Sequence, residues 1–126
     1  MNTDDKTILL VEDDPAILKL TSRILASLGY AVIAAENGTQ ALQLYSERKA
    51  EINVVITDMQ MPDMSGGELA AKLREDNQAL AIIFISGYTE DQLSDNLDGE
   101  HLYFIQKPFT KATLSEGLET AIKQQA

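Results

Sequence analysis

Short apolar runs alternate along this chain with longer segments in which apolar residues return every three or four positions. The runs are Ile8–Val11, Ala31–Ala34, Val54–Thr57, Ala81–Ile85 and Leu102–Ile105. Four of them are apolar nearly throughout, as strands buried on both faces of a parallel sheet are. Ala31–Ala34 is the weakest and fits an edge strand. In residues 15–28, Ile17, Leu20, Ile24, Leu25 and Leu28 fall at helical spacing. Asp14 suits the N-cap, Pro15 the first helical position and Gly29 the position just past the end. Residues 39–48 place Ala41, Leu42 and Tyr45 on one face, and residues 66–75 place Leu69 and Leu73 together. Residues 110–124 do the same with Leu114, Leu118, Ala121 and Ile122, behind Thr110 as N-cap. Residues 89–97 carry the weakest helical pattern, with Leu93 and Leu97 as their only apolar anchors.

A strand followed by a helix, five times over, predicts an α/β fold with a parallel sheet and helices on both faces. Right-handed crossovers restrict the topology. Five strands suit the flavodoxin-like order 2-1-3-4-5, in which ligands bind beyond the carboxyl ends of the strands, between strands 1 and 3. No linker or low-complexity stretch divides the chain, so residues 1–126 are read as one domain with an ordered core of about 6–124. Residues 62–67, Pro-Asp-Met-Ser-Gly-Gly, are turn formers leading into the third helix.

That topology gives meaning to what ends each run. Glu12 and Asp13 follow the first, Asp58 the third, Ser86 the fourth, and Lys107 the fifth. Parallel strands bring these groups to one edge of the sheet. Carboxylates packed together repel one another and call for a divalent cation, and a lysine beside them calls for an anion. A cation and an anion at a reactive aspartate point to phosphoryl transfer onto that aspartate. Asp58 is the candidate nucleophile, since a carboxylate can form an acyl phosphate. Taken alone it would read as a solvated strand-end aspartate; its companions reverse that reading. Mg²⁺ takes one or two carboxylates, keeps several waters and accepts oxygen donors only. Asp13 and Asp58, the main-chain carbonyl of Gln60, and Glu12 directly or through water match that habit.

Ser86 can donate its hydroxyl to a phosphoryl oxygen, or can be a turn serine before Gly87. Lys107 precedes Pro108, and a cis bond between them would turn the lysine back toward the carboxylates. Phe104, read by itself, is a core or edge aromatic. His101 lies in a polar stretch with no partner for catalysis or metal binding nearby in sequence, and reads as a surface residue.

Composition then removes other classes. The 126 residues carry a formal net charge of −10 and no cysteine. Thiolate metal sites and disulfides are excluded. Nucleic-acid binding, which rests on neutralising phosphates, is disfavoured, as is contact with anionic membranes. No apolar run approaches the ~20 residues of a membrane helix. The polar start, Met1 to Lys6, is not a secretory signal, which leads to the expectation of a cytoplasmic protein.

Together these residues resemble one family. Leu9-Leu10-Val11-Glu12-Asp13-Asp14, Ile56-Thr57-Asp58-Met59-Gln60-Met61-Pro62, Gly66, Ile85-Ser86-Gly87 and Lys107-Pro108-Phe109 match, in order and over nearly the whole chain, the receiver domain of two-component response regulators. The resemblance implies that Asp58 accepts a phosphoryl group from a phosphohistidine on a histidine kinase or histidine phosphotransfer domain. It implies Mg²⁺ at Glu12, Asp13, Asp58 and the Gln60 carbonyl, with Ser86 and Lys107 on the phosphoryl group. It implies a switch in which Ser86 moves toward the phosphate and Phe104 swings inward, with residues 89–97, strand 102–105 and helix 110–124 as the output face. Many members carry tyrosine where this chain has Phe104, so no hydroxyl is available to that switch. Gln60 and Tyr88 stand where the family tunes the lifetime of its acyl phosphate.

The wording Ser86-Gly87-Tyr88 and Gln106-Lys107-Pro108-Phe109 is similar to receivers appended to hybrid sensor kinases, which implies a covalently linked kinase or effector; a free-standing regulator is the alternative. Two other functions compete. One is an unphosphorylated interaction module, against which the acidic groups and Lys107 speak. The other is a small Mg²⁺-dependent phosphatase with an aspartyl nucleophile. Such enzymes carry a second acid two residues after the nucleophile, where this chain has Gln60.

Overall fold

A computed structural model describes residues 6–59, 61, 63–77, 80–86, 102–106 and 109–125. The strands are β1 (Thr7–Val11), β2 (Ala31–Ala35), β3 (Val54–Asp58), β4 (Ala81–Ser86) and β5 (Leu102–Gln106). All neighbours pair in parallel, in the order β2-β1-β3-β4-β5. Ala31–Ala35 is an edge strand, and its alternating exposure explains its weak apolar signal.

The described helices are α1 (Pro15–Ser27), α2 (Gly38–Arg48), α3 (Gly66–Asp76) and α4 (Lys111–Gln125). The expected helix at residues 89–97 lies outside the described residues, as does His101. Asp14 caps α1, accepting from the main-chain N–H groups of Ala16 and Ile17 at 2.9 and 3.3 Å. Just past the end of α1, Gly29 takes φ 98°, the left-handed turn that favours glycine. Thr110 accepts from the Thr113 N–H at 3.1 Å, at the start of α4. Helix α2 begins one residue earlier than its apolar period suggests, because Asn37 supplies the cap, accepting from the Gln40 N–H at 2.7 Å.

Alternation along the strands sorts the interior into two layers. Leu9, Val11, Val55, Ile82 and Phe84 face one way and pack with Ala41 and Tyr45 of α2 and Leu69 and Leu73 of α3. Ile8, Leu10, Val54, Ile56, Ile83 and Ile85 face the other way and pack with Leu25 of α1 and Leu114, Leu118 and Ala121 of α4. The central strands are buried on both sides, so nearly every position is apolar; the exception on β3, Thr57, is fully buried and its hydroxyl donates to the Asp58 carbonyl at 3.0 Å.

A second buried hydroxyl has no such contact. The Thr21 hydroxyl, on the inward face of α1 beside Leu25, is buried with no hydrogen-bond partner among the described residues. A buried unsatisfied polar group costs about 1–3 kcal/mol. Thr21→Val keeps the shape and removes the hydroxyl, and is expected to raise unfolding stability by about 1 kcal/mol. The urea midpoint checks this; an unchanged or lowered midpoint would show that the hydroxyl carries no such cost.

Candidate functional site

The register of β1 on β3 pairs Val11 with Thr57, so the next residues along, Glu12 and Asp58, emerge side by side at the carboxyl edge. Glu12 is buried, Asp58 is half-buried and Asp13 is exposed. One carboxylate oxygen from each of the three lies within 4.8 Å of the others. At that spacing each like-charged pair repels by about 3–4 kcal/mol at an effective dielectric of about 20. Nothing in the hydrophobic effect would gather such groups. The donor set consists of carboxylate oxygens, without the imidazole or thiolate that zinc and copper prefer. These residues therefore fit a hard divalent cation such as Mg²⁺.

Main-chain contacts hold Glu12 and Asp58 in place. The Glu12 N–H donates to the Ala35 carbonyl at 3.1 Å, tying the end of β1 to the end of β2. Glu12 Oε2 accepts from the Asp14 N–H at 3.3 Å, which aims the buried carboxylate across the turn into α1. Asp58 Oδ1 accepts from the Met59 N–H at 3.1 Å. The Met59 N–H also approaches the Ile85 carbonyl at 3.2 Å, so the turn after β3 is fixed against β4.

Helix α3 starts directly against this turn. The Gly66 N–H donates to the Met59 carbonyl at 2.8 Å. Ser65 caps α3 by accepting from the Glu68 N–H at 3.1 Å. The loop between β3 and α3 reaches back to α2 through Asp63. Its carboxylate accepts from the Gly38 N–H (3.1 Å), the Thr39 N–H (2.8 Å) and the Thr39 hydroxyl (2.7 Å). The Thr39 hydroxyl and main-chain donors stabilise the charged form and lower the Asp63 pKa from 3.8 to about 2. Sequence reasoning took residues 62–67 only as a turn and missed this contact, which spans two helices with no local signal.

Of the residues singled out from sequence, Glu12, Asp13 and Asp58 are brought together. Ser86 is the last residue of β4, paired with Gln106, and its side chain lies outside the described residues. Gln60, Lys107, Tyr88 and the Lys107–Pro108 bond also lie outside them. Phe104 is half-buried on β5 and stacks on the fully buried Phe84, with ring centroids 5.3 Å apart and planes 27° from parallel. Its neighbour Tyr103 faces the other layer, where burial raises its phenol pKa.

Comparison with known proteins agrees with this architecture. Residues 8–119 match the model of the response regulator receiver domain. The chain is 36% identical over 120 residues to the sensor kinase CckA of Brucella abortus, covering 94% of this chain and 13% of that one. It is 33% identical over 120 residues to the chemotaxis protein CheY1 of Helicobacter pylori, covering 91% of this chain and 95% of that one. The crystal structure of the response regulator TrrA of Thermotoga maritima, in complex with Mg(2+)-BeF, superposes with a TM-score of 0.79 at 31% identity, over 92% of this chain and 98% of that one.

The fold and the matched residues make this chain a member of the response regulator receiver family. Receiver domains are signalling domains of two-component systems, partnered by histidine kinases, and are not classical enzymes. The chain spans only 13% of the length of CckA and 27% of the transcriptional regulatory protein GlrR of Escherichia coli. Among the described residues no helix is long and apolar enough to cross a membrane.

Proposed function

We propose that this chain is a phosphoacceptor switch in which Asp58 takes a phosphoryl group from the phosphohistidine of a histidine kinase or histidine phosphotransfer domain. The observation that carries the reading is the gathering of the Glu12, Asp13 and Asp58 carboxylates at the carboxyl edge of β1 and β3. Glu12, Asp13 and Asp58, with the main-chain carbonyl of Gln60, would hold Mg²⁺. Bound there, Mg²⁺ supplies the positive charge that offsets the carboxylates and the incoming phosphoryl oxygens.

An Asp58 carboxylate oxygen attacks phosphorus, and the bond from phosphorus to the donor imidazole breaks with its electron pair passing to nitrogen. The product is an acyl phosphate on Asp58. The Lys107 ammonium pairs with the new dianion, and the Ser86 hydroxyl donates to one of its oxygens. Ser86 and Phe104 then carry the change to the output face, Phe104 by turning further onto the interior where it already meets Phe84. Water attack on the acyl phosphate returns free Asp58 and inorganic phosphate, so the domain assists both its own phosphorylation and its dephosphorylation. Gln60 and Tyr88 set how fast that return runs.

A phosphohistidine donor draws its phosphate from ATP, so the reading carries a cytoplasmic location. The family match over residues 8–119 supports residues 1–126 as a single receiver domain, and the net charge of −10 speaks against nucleic-acid or anionic-membrane contact of its own. The similarity to CckA supports a linked kinase as one setting for it.

Incubation with Mg²⁺ and acetyl phosphate should add one phosphoryl group, read by intact mass. Asp58→Asn, which keeps the shape and removes the nucleophilic charge, should abolish the addition. Phosphate still arriving in that variant, with its circular dichroism unchanged, would reject Asp58 as acceptor.

A further inference from the structure

We infer that Asp63, outside the acidic cluster, is a positioning residue that holds the cation-binding turn after β3 by clamping it to the start of α2. The inference rests on the proposed metal reading for its consequence, and on the hydrogen bonds of the described residues for its mechanics.

Every helix begins with main-chain N–H groups that its own turns cannot satisfy. In α2 these donors are divided between two loops. Asn37, the local cap, takes the Gln40 N–H. The Gly38 and Thr39 N–H groups go to Asp63, which lies 25 and 24 residues further along. The Thr39 hydroxyl adds a third donor to the same carboxylate. A negative charge at a helix N-terminus is favourable in itself. Here it comes from a different element, so what it stabilises is the placement of one element on another. Met64, next along the loop, packs against the α2–α3 layer, and its side chain occupies the space beside Gly38 that any larger residue would need.

The clamp closes a circuit around the acids. Glu12 is tied to Ala35 at the end of β2, and three residues later α2 begins. From α2 the circuit crosses to Asp63, runs to Gly66, and returns through the bond from the Gly66 N–H to the Met59 carbonyl. Met59 donates to Asp58 Oδ1. Glu12 and Asp58 repel one another, so the circuit opposes the separation their charges favour. Within it, the link from α2 to the loop is made by Asp63 alone among the hydrogen bonds of the described residues. An ionised Asp63 is needed, and its lowered pKa keeps it so.

The experiment compares wild type with Asp63→Ala and Thr39→Val. The second removes one hydrogen bond to Asp63 without changing any charge, which separates clamping from a change in overall field. Amide hydrogen exchange in metal-free protein is read at Met59 and Gly66 on one side, and at Leu9 and Ile56 in the sheet on the other. Mg²⁺ affinity is then titrated by calorimetry with the metal alone. Asp63→Ala should speed exchange at Met59 and Gly66 by at least about tenfold, with the sheet amides unchanged. It should weaken Mg²⁺ by about tenfold, the usual effect of removing a residue that orients ligands, and Thr39→Val should move both readouts the same way by less. Exchange that rises equally at every amide would mark a general loss of stability and overturn the inference. So would Mg²⁺ affinity unchanged in both variants of a wild type that binds it. A wild type that binds no Mg²⁺ rejects the metal reading instead, and the exchange at Met59 and Gly66 still decides for or against the clamp.

Discussion

Gly66→Ala is expected to destabilise the protein by about 1–3 kcal/mol, the range for forcing extra volume into a packed site, and to suppress phosphate uptake at Asp58. The single added methyl would stand 2.5 Å from the Asp58 carbonyl oxygen and 3.0 Å from the Met59 Cα. Both are main-chain atoms, so neither can rotate aside as a side chain would. Gly66 opens α3 with ordinary helical geometry, and the requirement for glycine comes from this close approach and not from an unusual φ. Relief demands that α3 retreat from the end of β3. That movement breaks the 2.8 Å bond from the Gly66 N–H to the Met59 carbonyl and shifts the turn on which the Asp58 carboxylate is oriented. Urea unfolding gives the stability change, and intact mass after acetyl phosphate and Mg²⁺ gives the uptake. A variant with the wild-type midpoint and full uptake would show that the contact relaxes freely.

Phe84→Ala is expected to cost about 3–5 kcal/mol, the range for emptying a large aromatic from a core. That is a large share of the roughly 5–15 kcal/mol by which domains are stable. Phe84 is fully buried in β4, with β3 on one side and β5 on the other, so no neighbouring strand can close over the space it leaves. It also forms the surface on which Phe104 stacks. Phe104→Ala, by contrast, removes a half-buried ring at the edge strand and should cost clearly less. The two urea midpoints, measured side by side, check the order. Equal losses would show that the pair acts as one unit and that the depth of Phe84 adds nothing.

What the chain declares locally is considerable. Uninterrupted apolar runs such as Val54–Ile56 and Ile82–Ile85 mark strands buried twice over, because a strand covered on both faces leaves little room for a polar side chain. Asp14-Pro15 and Gly29 bracket α1 through capping and a left-handed turn, both decided within a few residues. The βα alternation and its handedness then bring Glu12, Asp13 and Asp58 to a common edge, so the acidic cluster follows from topology without any side-chain detail. The contacts that only tertiary packing decided are of another kind. Asp63 meets α2, Gly66 leaves no room for a side chain beside the Asp58 carbonyl, and the Thr21 hydroxyl has no partner among the described residues. Each depends on the distance and angle at which two elements settle after their cores have packed. Periodicity records which face of an element is buried. It does not record which atoms on two loops, distant along the chain, end within 3 Å of each other.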